Sequence, residues 1–149
     1  TSQLNDLSKN INDLYGTYYK VGDKRKYYSI NSGPCGIFAN QFYMLWNSRF
    51  LNQVKIAFII LKDNNECSHT LIQLPNMYLF DGGVGVHKPN IYDYSRFKLS
   101  VMEEYNLETL DKNTWGLGMT NYEFCPNFSL KKTFSLIEKN LDEIYSIIK

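Results

Sequence analysis

Apolar residues recur every three or four positions at both ends of this chain, and they alternate or run together between. Near the amino terminus, "SQLNDLSKNINDLYGTYYK" sets Leu4, Leu7, Ile11, Leu14, Tyr15 and Tyr18 at helical spacing. Ser2 is placed to cap this helix, and Gly22 lies just beyond its expected end. Residues 35 to 48 predict a second helix, with Phe38, Phe42, Leu45 and Trp46 on one side and Ile37 flanking. That side is wide and aromatic, so the helix is expected to be central and well buried. A third helix follows from Leu130, Phe134, Ile137, Leu141, Ile144 and Ile148, which alternate spacings of four and three. With fewer than three heptads, the stripe is expected to cover the sheet of its own domain rather than form a coiled coil.

The middle of the chain reads as strands. "VKIAFIILK" is a near-continuous apolar run rich in β-branched residues, as in an interior strand. "HTLIQL" and "MYLFDG" flank a Pro-Asn turn signal and predict a hairpin. Residues 95 to 105 predict a short helix with Phe97, Val101 and Met102 facing inward. From 106 to 128 the pattern gives loops, with short strands around "TWGLGM" and "YEFC". There is no repeat, low-complexity tract or linker, so residues 1–149 are expected to form one domain of α+β class.

Composition narrows the function classes. The chain is 44% apolar and 21% charged, with 16 basic and 15 acidic residues and a net charge of +1. That balance argues against a nucleic acid or an anionic membrane as partner. The densest basic run, "DKRK" at 23 to 26, reads as a solvated loop leading into a strand. No apolar run approaches the ~20 residues that span a bilayer. The amino terminus lacks the regions of a signal peptide, which fits a cytoplasmic protein or one delivered into another cell. Cys35, Cys67 and Cys125 are an odd number without framework spacing, which suits a reducing compartment.

The chemistry centres on "SGPCGIFANQF", residues 32 to 42. Ser32 or Gly33 can cap the second helix, and Pro34 suits its first position, where no amide hydrogen is needed. Cys35 then falls in the first turn, where unpaired N–H groups and the helix dipole favour a thiolate, the reactive form. Gly36 beside it leaves room for a substrate backbone. Taken alone, Cys35 reads more readily as a small side chain packed under the sheet, since free cysteine is commonly buried. A nucleophile needs a base, and the chain offers only His69 and His87.

His69 opens the predicted hairpin, and Asp81 ends its second strand. With Pro75-Asn76 alone as the loop, 74 pairs with 77 and Asp81 points to the other face. With Pro75-Asn76-Met77, 74 pairs with 78, and His69 is expected directly opposite Asp81, with Cβ atoms about 4.5–5.5 Å apart. Thr70, Ile72, Leu74, Tyr78 and Phe80 then share a coherent opposite face, so the pattern favours this register. Cys35 is thus the expected nucleophile, His69 its base and later the acid for the leaving group, and Asp81 the residue that orients the imidazole. The Cys35 N–H and the side chain of Asn31 or Ser32 are the candidate oxyanion donors, Asn31 being preferred.

This order and context resemble the papain-like cysteine hydrolases in the broad sense that includes transglutaminase-like proteins. "GPCGIFANQF" looks like the nucleophile motif, "SHTLIQL" like the histidine strand and "YLFDGG" like the acid strand, together about residues 29 to 86. The resemblance implies a central nucleophile helix packed on a small antiparallel sheet, flanked here by amino- and carboxyl-terminal helices. It implies acyl transfer through a thioester, without a cofactor, on an amide of a peptide or protein. Peptidases, glutamine deamidases and acyltransferases all belong to that superfamily. "YLFDGGVG" is also similar to the acid stretch of arylamine N-acetyltransferases, although the Arg-Gly-Gly expected before their cysteine is absent. Against papain itself, Gly36 replaces a tryptophan, and Ser29 stands where an oxyanion-hole glutamine belongs.

Other motifs carry less. "DGGVGVH" lacks the spacing of a phosphate-binding glycine loop and reads as a flexible turn, with His87 exposed or touching substrate. Cys67, His69, His87 and Cys125 match no zinc-site spacing, so no metal is expected. Trp115, between small and polar residues, is a candidate for lining a substrate cleft, or part of a loop strapped over the core. A non-catalytic protein-binding module is the competing function class.

Overall fold

The computed structural model of the chain describes residues 2–89, 96–102 and 123–148. Among them are three helices, a five-stranded antiparallel sheet and a two-stranded hairpin, an α+β arrangement. Helix α1 (Ser2–Tyr15) buries Leu4, Leu7, Ser8 and Ile11. Ser2 is helical itself rather than the expected cap. The helix also stops earlier than its apolar spacing suggests. Gly16 adopts φ 83°, and its N–H closes onto the Asn12 carbonyl at 2.7 Å. A left-handed glycine just past the last helical residue is a C-cap, so Gly16 is the terminator. Tyr18 therefore falls in strand β1 (Thr17–Tyr19), which pairs with β2 (Lys26–Tyr28), and Gly22 sits in the turn between them.

Helix α2 (Cys35–Arg49) is central, as its aromatic side requires. Phe38, Phe42 and Phe80 bring their rings together, with centroids 5.0 Å apart for Phe42 and Phe80 and 6.0 Å for Phe38 and Phe80. Helix α3 (Leu130–Ile148) packs on α1 and α2, burying Ile137 and Leu141 in the shared core, while Leu130 and Phe134 at its start stay exposed. The carboxyl-terminal stripe thus docks against helices more than against the sheet. Arg49 at the end of α2 pairs with Glu138 and Asp142 of α3.

The sheet runs β6–β5–β4–β3–β7, with β3 (Lys55–Leu61), β4 (Cys67–Gln73), β5 (Leu79–Asp81), β6 (Gly85–His87) and β7 (Phe97–Val101). Ile56, Phe58, Ile60, Ile72, Leu74 and Phe80 join the helices in one core. Ala57, Ile59, Leu71 and Leu79 form a second cluster on which Phe97, Leu99 and Val101 pack. Burial on both faces explains the unbroken apolar run of β3.

Residues 97 to 101 are this edge strand and not the expected helix. Phe97, Leu99 and Val101 recur every second residue, and pairing with β3 satisfies that period where a helix would scatter it. The strand expected at "TWGLGM" lies outside the described residues. The described part of "YEFC", Glu123 to Cys125, is turn, with Cys125 buried.

The hairpin of β4 and β5 closes as the three-residue loop. The Leu74 N–H reaches the Tyr78 carbonyl at 2.8 Å, and the Met77 N–H reaches the Leu74 carbonyl at 2.9 Å. Met77 takes φ 74°, completing a turn plus one left-handed residue. Across the sheet, Ile59 pairs with His69 but Ile60 with Cys67, so Ser68 is an inserted bulge residue. No described helix is long and apolar enough to cross a membrane.

The C-cap gives a test of the helix boundary. Replacing Gly16 with Ala meets no atom within 4 Å, so its cost is purely conformational. It is expected to lower stability by about 1 kcal/mol in urea unfolding, with Gly16→Asn costing less. No change in Gly16→Ala would show that the left-handed position does not end the helix.

Candidate active site

Cys35 is the first residue of α2, directly after buried Pro34. The Pro34 carbonyl accepts the Phe38 N–H at 2.9 Å, so Pro34 occupies the cap position that sequence reasoning gave to Ser32 or Gly33. No side chain caps this end. Cys35 remains partly exposed while Gly36 behind it is buried.

His69 and Asp81 meet at 3.3 Å between Nε2 and Oδ2. The register is the expected one, with 74 opposite 78, but counting through it does not bring the two residues directly opposite each other. Ile72 pairs with Phe80 and Gln73 with Leu79, so the same count carried on sets Asp81 against Leu71 and His69 against Gly83. The pair is therefore diagonal, not directly opposed, yet of one parity and within side-chain reach. The Ser68 bulge immediately precedes His69, a place where bulges re-aim side chains. A carboxylate only accepts, so Nε2 carries the proton between them.

Asp81 is almost wholly buried, at 2 % side-chain exposure against 14 % for His69. Its Oδ1 accepts the Gly83 N–H at 2.9 Å, the Val84 N–H at 2.6 Å and Asn31 Nδ2 at 3.1 Å. Burial alone would raise the carboxyl pKa. The hydrogen bond and charge of His69, the Val84 amide and Asn31 outweigh it and hold the carboxyl below its ordinary range. Burial likewise opposes a charged imidazole, but Asp81 and Cys35 together raise His69 to about 10. For Cys35, burial pushes the thiol up, while the hydrogen bond and charge of His69 and the Thr70 amide pull it below its ordinary value. The three groups are coupled in series, each favouring the charged form of its neighbour.

The other expected site residues are placed differently. Asn31, at the end of the 3-10 turn Ser29–Asn31, donates an amide hydrogen to Asp81 and so ties this turn to the acid. The Ser32 hydroxyl donates to the Tyr28 carbonyl at 3.2 Å and lies 2.5 Å from the Tyr18 hydroxyl, so it is engaged away from an oxyanion role. Trp115 lies outside the described residues. His87 ends β6, half-buried, with Nδ1 at 2.9 Å from the Gly85 carbonyl, and does not join the Cys35–His69–Asp81 cluster.

Cys67, two residues before His69, sits 3.6 Å from the Thr70 hydroxyl and is pushed up by burial. No cluster of His, Cys, Asp or Glu among the described residues is arranged to hold a metal ion.

Several groups escaped sequence reasoning: the Thr70 amide, the Gly83 and Val84 amides, and Ser8 and Asn12 of α1, which bind the backbone of the same turn. Only Ser8 left a signal, as a polar residue inside the apolar face Leu4, Leu7, Ile11. No family model, no curated protein and no solved structure matches this chain.

The folded pKa of His69 is raised, so its contribution to stability is complete below about pH 6.5 and disappears as pH climbs through about 10. The folded pKa of Asp81 is lowered, so its contribution is present above pH 3.8 and fades as pH falls further. Iodoacetamide should accordingly label Cys35 rapidly well below the ordinary thiol range, and His69→Ala should move that midpoint up. Equal, ordinary midpoints in both proteins would break the Cys35–His69 assignment. At Gly83, an added Cβ would stand 2.6 Å from both Asn31 Nδ2 and Tyr28 Cβ. Gly83→Ala is expected to cost roughly 1–3 kcal/mol and to pry Asn31 from Asp81. Calorimetry showing an unchanged Tm would exclude that close fit.

Proposed function

We propose that this chain is a thiol-dependent hydrolase or acyltransferase of papain-like type, acting on an amide bond of a peptide or protein. The reading is carried by one observation. A partly exposed cysteine at a helix start is coupled to an imidazole that a buried carboxylate holds at 3.3 Å. The alternative of a packed, inert cysteine calls for a thiol raised by burial, as at Cys125, where it is pushed to about 11. Cys35 is moved in the opposite direction.

In the proposed reaction the Cys35 thiolate attacks the amide carbonyl carbon, forming a C–S bond as the carbonyl electron pair moves to oxygen. With Asn31 and Ser32 engaged elsewhere, the Cys35 N–H in the uncapped first turn of α2 is the donor for that oxygen. Collapse breaks the C–N bond, and His69 protonates the departing amine or ammonia. Water then gives a proton to His69 and attacks the thioester, releasing acid and restoring Cys35. An amine in place of water makes the same cycle a transfer. Asp81 keeps the imidazole oriented and stabilises its cationic form throughout.

The test uses a mixture of peptides containing internal glutamines. New amino termini report peptide hydrolysis, and released ammonia reports glutamine deamidation. Wild type should produce one of these, and Cys35→Ala should lose it by roughly a thousandfold or more while keeping its circular dichroism. A folded Cys35→Ala protein with full activity would overturn the proposal. Specific peptide capture without turnover, unaffected by Cys35→Ala, would favour a binding module.

A further inference from the structure

Two consecutive peptide units of the turn after β5 are held at both ends. In a trans peptide the C=O and N–H point in opposite directions. The Gly82 carbonyl accepts from Ser8 Oγ at 2.8 Å, while the Gly83 N–H of that same unit donates to Asp81 Oδ1 at 2.9 Å. The next unit repeats the arrangement. The Gly83 carbonyl accepts from Asn12 Nδ2 at 2.9 Å and shares the one Ser8 hydroxyl proton with the Gly82 carbonyl, also at 2.8 Å, and the Val84 N–H donates to the same carboxylate oxygen at 2.6 Å. Asn5 Oδ1 accepts the Val86 N–H at 2.8 Å, extending the strip of α1 contacts along the turn.

Ser8 is 4 % exposed and interrupts an otherwise apolar helix face. A buried hydroxyl is unfavourable unless it is bonded, and packing between Leu4, Leu7 and Ile11 gives no reason for one. Its two acceptors supply the reason. Hydrogen bonds in series polarise one another, so each carbonyl held from the α1 side makes the opposite N–H a better donor to the acid.

We infer that Ser8 and Asn12 are positioning residues for the carboxylate of Asp81, fixing the two peptide planes whose N–H groups turn Oδ2 toward His69. Without those anchors the glycine peptide planes are released to rotate. Oδ1 then keeps Asn31 alone, and the buried charge loses most of its compensation. The charged groups facing Asp81 are His69 from β4 and Cys35 from α2. Lys9 and Asp13 of α1 and Lys26 of β2 line the outer side of the turn, and all stay in place in the variants below. The inference rests on the proposed function only in calling this carboxylate catalytic.

The experiment therefore reads Asp81 itself. Its carboxyl carbon is titrated by NMR in the full chain and assigned by the signal lost in Asp81→Asn. Ser8→Ala and Asn12→Ala should each raise the Asp81 pKa by about half a unit to one unit, roughly a threefold to tenfold change in acid dissociation. Ile11→Val removes a buried methyl from the same helix and should leave Asp81 unmoved. Half-buried Asn12 provides the readout if Ser8→Ala does not fold. An unchanged Asp81 in Ser8→Ala and Asn12→Ala would overturn the inference, as would an equal shift in Ile11→Val. Thiol labelling in His69→Ala decides the proposed function separately, so either can fail alone.

Discussion

Removing a carboxylate from water costs several kcal/mol unless its lone pairs find donors, and Asp81 is 2 % exposed. The surrounding architecture answers that demand. Oδ1 takes three donors from two separate segments, and Oδ2 is left to His69. Asn31 belongs to the turn that leads into α2, so the segment carrying Cys35 is tied directly to Asp81. Gly83 has no side chain because Asn31 and Tyr28 already occupy that space.

The scaffold contributes rigidity. β4, which carries His69, is an inner strand paired on both sides, and both faces of the sheet are buried. The Phe38–Phe42–Phe80 contacts lock α2 onto β5, fixing the start of the helix relative to the acid strand. Such packing holds side chains in one rotamer, which the chemistry needs more than it needs raw stability. The His69 imidazole, favoured in its charged form, lies between a carboxyl and a thiol that are each held below their ordinary pKa. Each group stabilises the form that its neighbour requires.

Much of this was legible in the residues. The three helices, the interior strand and the three-residue loop follow from apolar spacing and the Pro75-Asn76 signal, and the loop length set His69 and Asp81 to one parity. What periodicity could not supply was local exception. A single glycine at 16 ended α1 and sent Tyr18 into a hairpin, against the helical spacing. Phe97 and Val101 fit a helix as well as a strand, and the pairing that decides between them involves β3, far away in sequence. The Ser68 bulge has no signature in composition. Asn31 was legible as a polar residue near Cys35, but its bond to Asp81 depends on the fold of residues 82 to 84, which periodicity does not show.

Helix α1 lies between the acid turn on one side and α3 on the other. The Tyr15 hydroxyl is 2.7 Å from that of Thr133, and Asn140 Nδ2 donates to the Gln3 carbonyl at 2.6 Å. Among the described residues, the groups named at the site lie between residues 5 and 84, and all are synthesised before α3. During synthesis these residues therefore precede the helix that holds α1 from its other side. Arrival of α3 fixes α1, and through Ser8 and Asn12 it fixes the acid turn.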